Sequence, residues 1–111
     1  MPEPSEFRLV YITAGSQQEA LRVARALVEA RLAACANVRD QITSLYWWEG
    51  KLQEDPEAVV IAKTRASLMD QLIAKVREVH SYDCPCVVAL PIYEGHAEFL
   101  NWIARETSAA R

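Results

Sequence analysis

Glycine is scarce, with 3 in 111 residues. A glycine-rich phosphate loop needs several close together so that the backbone can wrap an anion, and that class of nucleotide site is nearly excluded. A basic excess is missing as well. Lysine plus arginine number 12 against 15 aspartate plus glutamate, a net charge of −3, which is the wrong sign for a dedicated nucleic-acid binder driven by counterion release. Long apolar runs are also absent. Cys84 to Tyr93 is free of charge but is interrupted by Pro85 and Pro91, and it is about half the roughly 20 residues a membrane-spanning helix needs. The opening Met1-Pro2-Glu3-Pro4-Ser5-Glu6 is acidic and lacks the basic-then-apolar plan of a secretion signal. Cysteine is sparse and odd in number, 3 in all, unlike a secreted disulfide framework. The expectation is a cytoplasmic protein with free thiols and neither a nucleic-acid nor a membrane partner.

Apolar side chains are plentiful. The hydrophobic fraction is 51% and the charged fraction 24%, enough to offset chain entropy in one domain but not in two. Residues 1–6 read as a flexible arm and 7–111 as a single domain. Phe7 to Thr13 reads as a buried strand. Ser16-Gln17-Gln18-Glu19 fits a capping box opening a helix that carries Ala20, Ala24, Leu27 and Val28 and extends to about Leu32. Ile42 to Trp48 and the segment after Glu49-Gly50 form a hairpin, with Pro56 marking a bulge or an edge. Ala58 to Lys63 continues the return strand, and Leu68, Leu72, Val76 and Val79 mark a second helix. Cys84 to Ile92 is expected as the last strand. A final helix places Phe99, Leu100, Ile103 and Ala104 on one side. The order β-α-β-β-α-β plus a helix predicts an α+β, ferredoxin-like sandwich with a long hairpin between its second and third strands.

That hairpin concentrates Tyr46, Trp47 and Trp48 near its tip. Aromatic residues bury large area and are enriched where proteins meet. They are expected to form an interface in an oligomer; the alternative is a hairpin folded back onto its own sheet.

Chemistry is concentrated in His80-Ser81-Tyr82-Asp83-Cys84-Pro85-Cys86. In a strand, Cys84 and Cys86 would share a face with α-carbons about 6.5–7 Å apart. With His80 from the end of the second helix, they would suit a soft ion such as copper(I) or zinc. The plainer reading makes both cysteines small core hydrophobes, as for Cys35. A structural zinc site asks for four ligands, and this cluster offers three. The C-x-C spacing in a strand does not favour a disulfide. The histidines are His80 and His96, and no nucleophile elbow or H-E-x-x-H motif is present. Lys63, read as ending a strand before a helix, is a candidate anion contact, or else a stem lying over the sheet with its head in water. Nothing in these residues calls for an enzyme.

Several segments together resemble the CutA divalent-cation tolerance proteins. They are Val10-Tyr11-Ile12-Thr13, Arg31-Leu32-Ala33-Ala34-Cys35-Ala36-Asn37, Thr43-Ser44-Leu45-Tyr46-Trp47-Trp48-Glu49-Gly50-Lys51, Lys63-Thr64, His80-Ser81-Tyr82-Asp83-Cys84-Pro85 and Phe99-Leu100-Asn101-Trp102-Ile103. The resemblance implies a homotrimer built like the PII signalling proteins, with hairpins making intersubunit sheet contacts. It also implies a role in tolerance to copper and other divalent ions and no required cofactor. Some members carry a proposed copper site whose positions here are Ile12, Val79 and His80, of which only His80 is a ligand type. Ser81 and Cys86 stand where the family pattern has proline and glutamate. By the same resemblance Lys63, Tyr82 and Trp48 line an intersubunit cleft. Two functions follow as expectations: a trimeric ion-tolerance protein that binds rather than catalyses, with His80, Cys84 and Cys86 as metal ligands, or a PII-like sensor taking a small anionic metabolite in the cleft.

Overall fold

A computed structural model describes residues 5–108. The chain folds in the order β1 (Phe7–Ala14), α1 (Gln17–Glu29), β2 (Cys35–Trp48), β3 (Lys51–Arg65), α2 (Met69–Val79), β4 (Val87–Pro91) and α3 (Ala97–Glu106). The strands form one antiparallel sheet in the order β2-β3-β1-β4. This is the expected βαββαβ sandwich with an added helix. The arm expected over residues 1–6 overlaps the described structure at Ser5 and Glu6. Both are tied down there: the Ser5 hydroxyl donates to the Ile92 carbonyl, and the Ala66 N–H donates to the Glu6 carbonyl. Residues 1–4 of that arm lie outside the described residues.

Period-two alternation sorts the sheet into two faces. Val10, Ile12 and Ala14 of β1 and Ala58, Val60 and Ala62 of β3 are fully buried, and they pack with Val23 and Leu27 of α1 and Leu72 and Val76 of α2. Each large aliphatic side chain removed from water there contributes about 1.5–3 kcal/mol. The alternate residues point the other way, and at the end of β3 that face meets α3: Arg65 donates to the Thr107 hydroxyl and carbonyl. In register across that open face stand Val88, Tyr11, Ile61 and Asn37, and beside them Leu90, Leu9, Lys63 and Cys35. Cys35 is therefore half-buried on the open face, not in the core, because Ala36 and Val38 take the core-facing positions.

Helix α1 stops at Glu29, about a turn before the expected Leu32. Arg31 takes a left-handed φ of 61°, its N–H donates to the Val28 carbonyl, and the Leu32 N–H returns to the Leu27 carbonyl. This is a Schellman stop, closed by the contact of two buried leucines. Periodicity alone could not place it, because glycine, the usual signal, is replaced by arginine.

The hairpin turns through Glu49 and Gly50, both at positive φ (50° and 78°). That is a two-residue turn whose twist matches the flanking strands. Pairing between β2 and β3 slips once, between Arg39 and Ile42, where Gln41 sits at φ 61°. The bulge thus falls on the strand opposite Pro56. Pro56 itself lies where β3 has β2 as its one neighbour, since β1 pairs β3 only from Ala58 onward. A missing donor is tolerated on such an edge.

The last strand begins at Val87, not at the expected Cys84. With Ile12 paired to Val87, the continued register would set Pro85, which has no N–H, opposite Ala14. The ladder ends there, and Ser81 to Cys84 form a bend instead.

Candidate functional site

The residues singled out by chemistry gather where β1 runs into α1 and α2 hands over to the bend before β4. His80 caps the C-terminus of α2, its N–H donating to the Val76 carbonyl at 2.9 Å. Its side chain is fully buried. The imidazole Nε2 lies 2.8 Å from the Thr13 carbonyl, and the Tyr82 N–H reaches Nδ1 at 3.1 Å. A carbonyl only accepts and an N–H only donates, so the ring carries its proton on Nε2 and its lone pair on Nδ1 is in use. Both ring nitrogens are committed to backbone.

Glu19 sits against this histidine, its Oε2 3.8 Å from Nδ1. The sequence pattern assigned it to a capping box, and the first half of that box forms: the Glu19 N–H donates to the Ser16 hydroxyl at 3.1 Å. Its carboxylate goes elsewhere. Oε1 accepts the Gly15 N–H at 3.2 Å, and Oε2 accepts the Ser81 N–H at 2.8 Å and an Arg22 N–H at 3.4 Å. Burial pushes this carboxyl up, but the Ser81 hydroxyl and N–H and the Gly15 N–H outweigh it and hold the group below its ordinary value. Glu19 thereby joins the start of α1 to the bend after α2, across 62 residues of chain. Sequence reasoning missed that role because a local motif already explained the residue.

Tyr82 closes over the same corner. Its hydroxyl donates to Glu57 at 2.8 Å, and its ring stacks at a tilt on His80 with centroids 4.7 Å apart. Burial and the neighbouring Glu57 carboxylate push the phenol's pKa well up, so it stays protonated. A side chain on Gly15 would place its Cβ 3.1 Å from the Tyr82 hydroxyl, a tight contact that the tyrosine would have to ease by giving way. One strand position along that face of the hairpin, Tyr46 repeats the arrangement by donating to Asp55 at 2.7 Å, and that bond raises its pKa too. Beside the corner lies an open depression of about 460 Å³ lined by Arg77, His80, Ser81, Tyr82 and Asp83 among others.

The three expected metal ligands do not converge. Cys84 and Cys86 are free and exposed on the bend, while His80 points inward with both nitrogens occupied. Among the described residues no group of three or more His, Cys, Asp or Glu side chains is placed to hold a metal ion. The same exposure corrects the core reading of the two cysteines, since neither is packed inside.

The three expected cleft residues are spread along the molecule. Lys63 lies within β3, which continues to Arg65, so it does not end its strand. Its ammonium donates to Asn37 at 2.7 Å on the open face. Trp48 pairs with Lys51 at the opposite end of the same ladder, 12 positions from Lys63, which is about 40 Å of strand. Tyr82 stands between them, at Glu57. Within one chain they form no common cleft. The expected interface aromatics are bare: Trp47 is 74% exposed, Trp48 60% and Tyr46 41%. The hairpin does not fold back on its own sheet.

With this geometry in place, comparison with known proteins is decisive. The family model of the CutA1 divalent ion tolerance protein matches residues 8–106. The chain belongs to the CutA1 family. The divalent-cation tolerance protein CutA of Archaeoglobus fulgidus is 46% identical over 94 residues, which cover 85% of this chain and 91% of that protein. The chloroplastic CutA 1 of Oryza sativa is 43% identical over 99 residues, 89% of this chain but 56% of the rice protein. The chain likewise spans 60% of the mouse CutA protein. The crystal structure of Oryza sativa CutA1 superposes with a TM-score of 0.90 at 40% identity, covering 97% of this chain and 96% of that one. The solved Archaeoglobus CutA, described as a periplasmic divalent cation tolerance protein, superposes at 0.88 with 42% identity over 91% and 98% of the two chains. The α+β sheet-and-helix fold is therefore that of CutA1. The CutA1 family is named for ion tolerance, not for a catalysed reaction.

Proposed function

We propose that this chain assembles as a PII-like homotrimer and contributes to divalent metal-ion tolerance, copper included, by binding rather than by catalysis. The observation that carries this reading is the unpartnered surface. The face of the sheet turned away from α1 and α2 holds Tyr11, Val88 and Leu90, each 41–63% exposed, and the hairpin that extends the sheet adds Trp47 and Trp48 at 74% and 60%. Contiguous apolar surface of this kind is a mark of association in a folded protein. Stacking of three such chains would bring Lys63, Tyr82 and Trp48 of different copies toward one cleft. His80 bonds only to backbone among the described residues, which leaves no activated nucleophile and favours a binding role. A PII-like anion sensor is not favoured, because the Lys63 ammonium is engaged by Asn37. Exposed free thiols at Cys84 and Cys86 suit a reducing, cytoplasmic setting.

Sedimentation of the reduced protein tests the assembly. A species of three times the 12.5 kDa chain mass, stable on dilution, is the expected result, and a concentration-independent monomer would remove the reading. The functional half is tested by expressing the chain in cells that lack their own CutA1 protein. Restored growth in copper-supplemented medium is expected.

A further inference from the structure

The bend between α2 and β4 carries two thiols that no part of the fold uses. Cys84 and Cys86 are both free and exposed, separated by one residue, Pro85, and lie outside any ladder. In a strand their directions would be set by the pleat. Here no ladder pairing holds them, and both side chains are exposed to solvent. Their α-carbons are at most about 7 Å apart, because two residues of chain reach no further. Two metal–sulfur bonds of about 2.3 Å each fit inside that span once the side chains converge. Pro85 fixes its own φ and restricts Cys84 to extended backbone. The loop therefore has less conformational freedom to lose when the thiols close on an ion.

The number of donors selects the ion. His80 is withdrawn into backbone hydrogen bonds, and no third His, Cys, Asp or Glu side chain joins a cluster among the described residues. Zinc, which takes four ligands in a closed site, would be left half-coordinated. A soft, monovalent d¹⁰ ion is satisfied by two thiolates. We propose that Cys84 and Cys86 form a two-coordinate site for copper(I), a reading that rests on the ion-binding function above and gives it a place in this chain. On binding, two sulfur–hydrogen bonds are replaced by two sulfur–copper bonds. Two protons leave to solvent, and the copper keeps its oxidation state.

The test titrates the reduced full chain, without oxygen, with copper(I) in competition with a chromophoric chelator. One copper per chain is expected, with thiolate-to-copper absorption in the ultraviolet that excess zinc does not displace. Cys84→Ser/Cys86→Ser should abolish both signals, and Cys35→Ser should retain them. Circular dichroism of the double variant checks its fold, which two exposed substitutions should leave intact. Copper(I) binding that survives in the double variant, or no binding by the wild type, overturns the site. Dialysis of the same samples against copper(II) and zinc, with sedimentation in parallel, separates the two ideas. Divalent-ion binding by an intact trimer that takes up no copper(I), or whose copper(I) binding survives in the double variant, would leave the proposed function standing while removing this site.

Discussion

The two halves of β3 have the same strand conformation and opposite environments. From Ala58 to Arg65 the strand has β1 on one side and β2 on the other, with helices over one face, and Ala58, Val60, Ala62 and Thr64 are fully buried. From Lys51 to Glu57 it has β2 alone, and no residue is fully buried. The inner half is held by the chain's own core. The outer half carries Leu52 at 59% exposure opposite Trp47. Apolar side chains in the inner half are buried by the chain itself, and those in the outer half are left exposed. The difference lies in the neighbours, not in the strand.

The sharpest way to break the comparison is one truncation on each side. Ile12→Ala removes a fully buried side chain paired across from Val60 and should cost about 2–5 kcal/mol in denaturant unfolding, with cavity and transfer terms adding. Trp47→Ala should instead leave the stability of the folded chain within about 0.5 kcal/mol and weaken assembly by about 2 kcal/mol or more, as buried aromatic anchors do. Sedimentation against concentration reads the second effect. If Trp47→Ala unfolded the chain and left the oligomer intact, the division of β3 would be wrong.

Next in size is the corner that joins the inner half to the bend. In Glu19→Gln the amide presents one acceptor where two backbone N–H groups need partners, and the expected loss near neutral pH is about 1–3 kcal/mol. The sign with pH follows from a folded pKa held below the ordinary 4.5. The carboxylate's contribution is fully present above that value and is lost as pH falls through the folded pKa. The gap between wild type and Glu19→Gln should therefore narrow in acid, as measured by thermal unfolding from pH 7 down to pH 3. The smallest effect belongs to the turn. Glu49 holds a positive φ that asparagine accepts more readily, and Glu49→Asn should add a few tenths of a kcal/mol to the stability of the outer hairpin. Hydrogen exchange of the β2–β3 amides would register it.

Much of the fold was legible from side-chain spacing. The buried positions of α1, α2 and β1 recur at periods that local geometry imposes, and Glu49-Gly50 marked the turn by its own conformational preference. The boundaries that moved were those set by other parts of the chain. Helix α1 ended early on an arginine in a glycine's role, and β4 started late because Pro85 fell opposite Ala14. The site was legible in part. His80, Tyr82, Cys84 and Cys86 were named from their chemistry, but a donor atom's availability depends on what else it bonds. His80 looked like a ligand in the sequence and became a buried brace once Thr13, 67 residues away in the chain, reached its Nε2.

The sequence by itself determined the element order, the resemblance to CutA1 and the placement of aromatic residues on the hairpin, because these rest on periodicity and residue type. Only the tertiary structure decided which face of the sheet α1 and α2 cover, that Glu19 binds the bend instead of closing its own cap, and that the two cysteines stand in solvent without His80. Those outcomes depend on hydrogen-bond partners and packing between distant segments, and no local pattern encodes them.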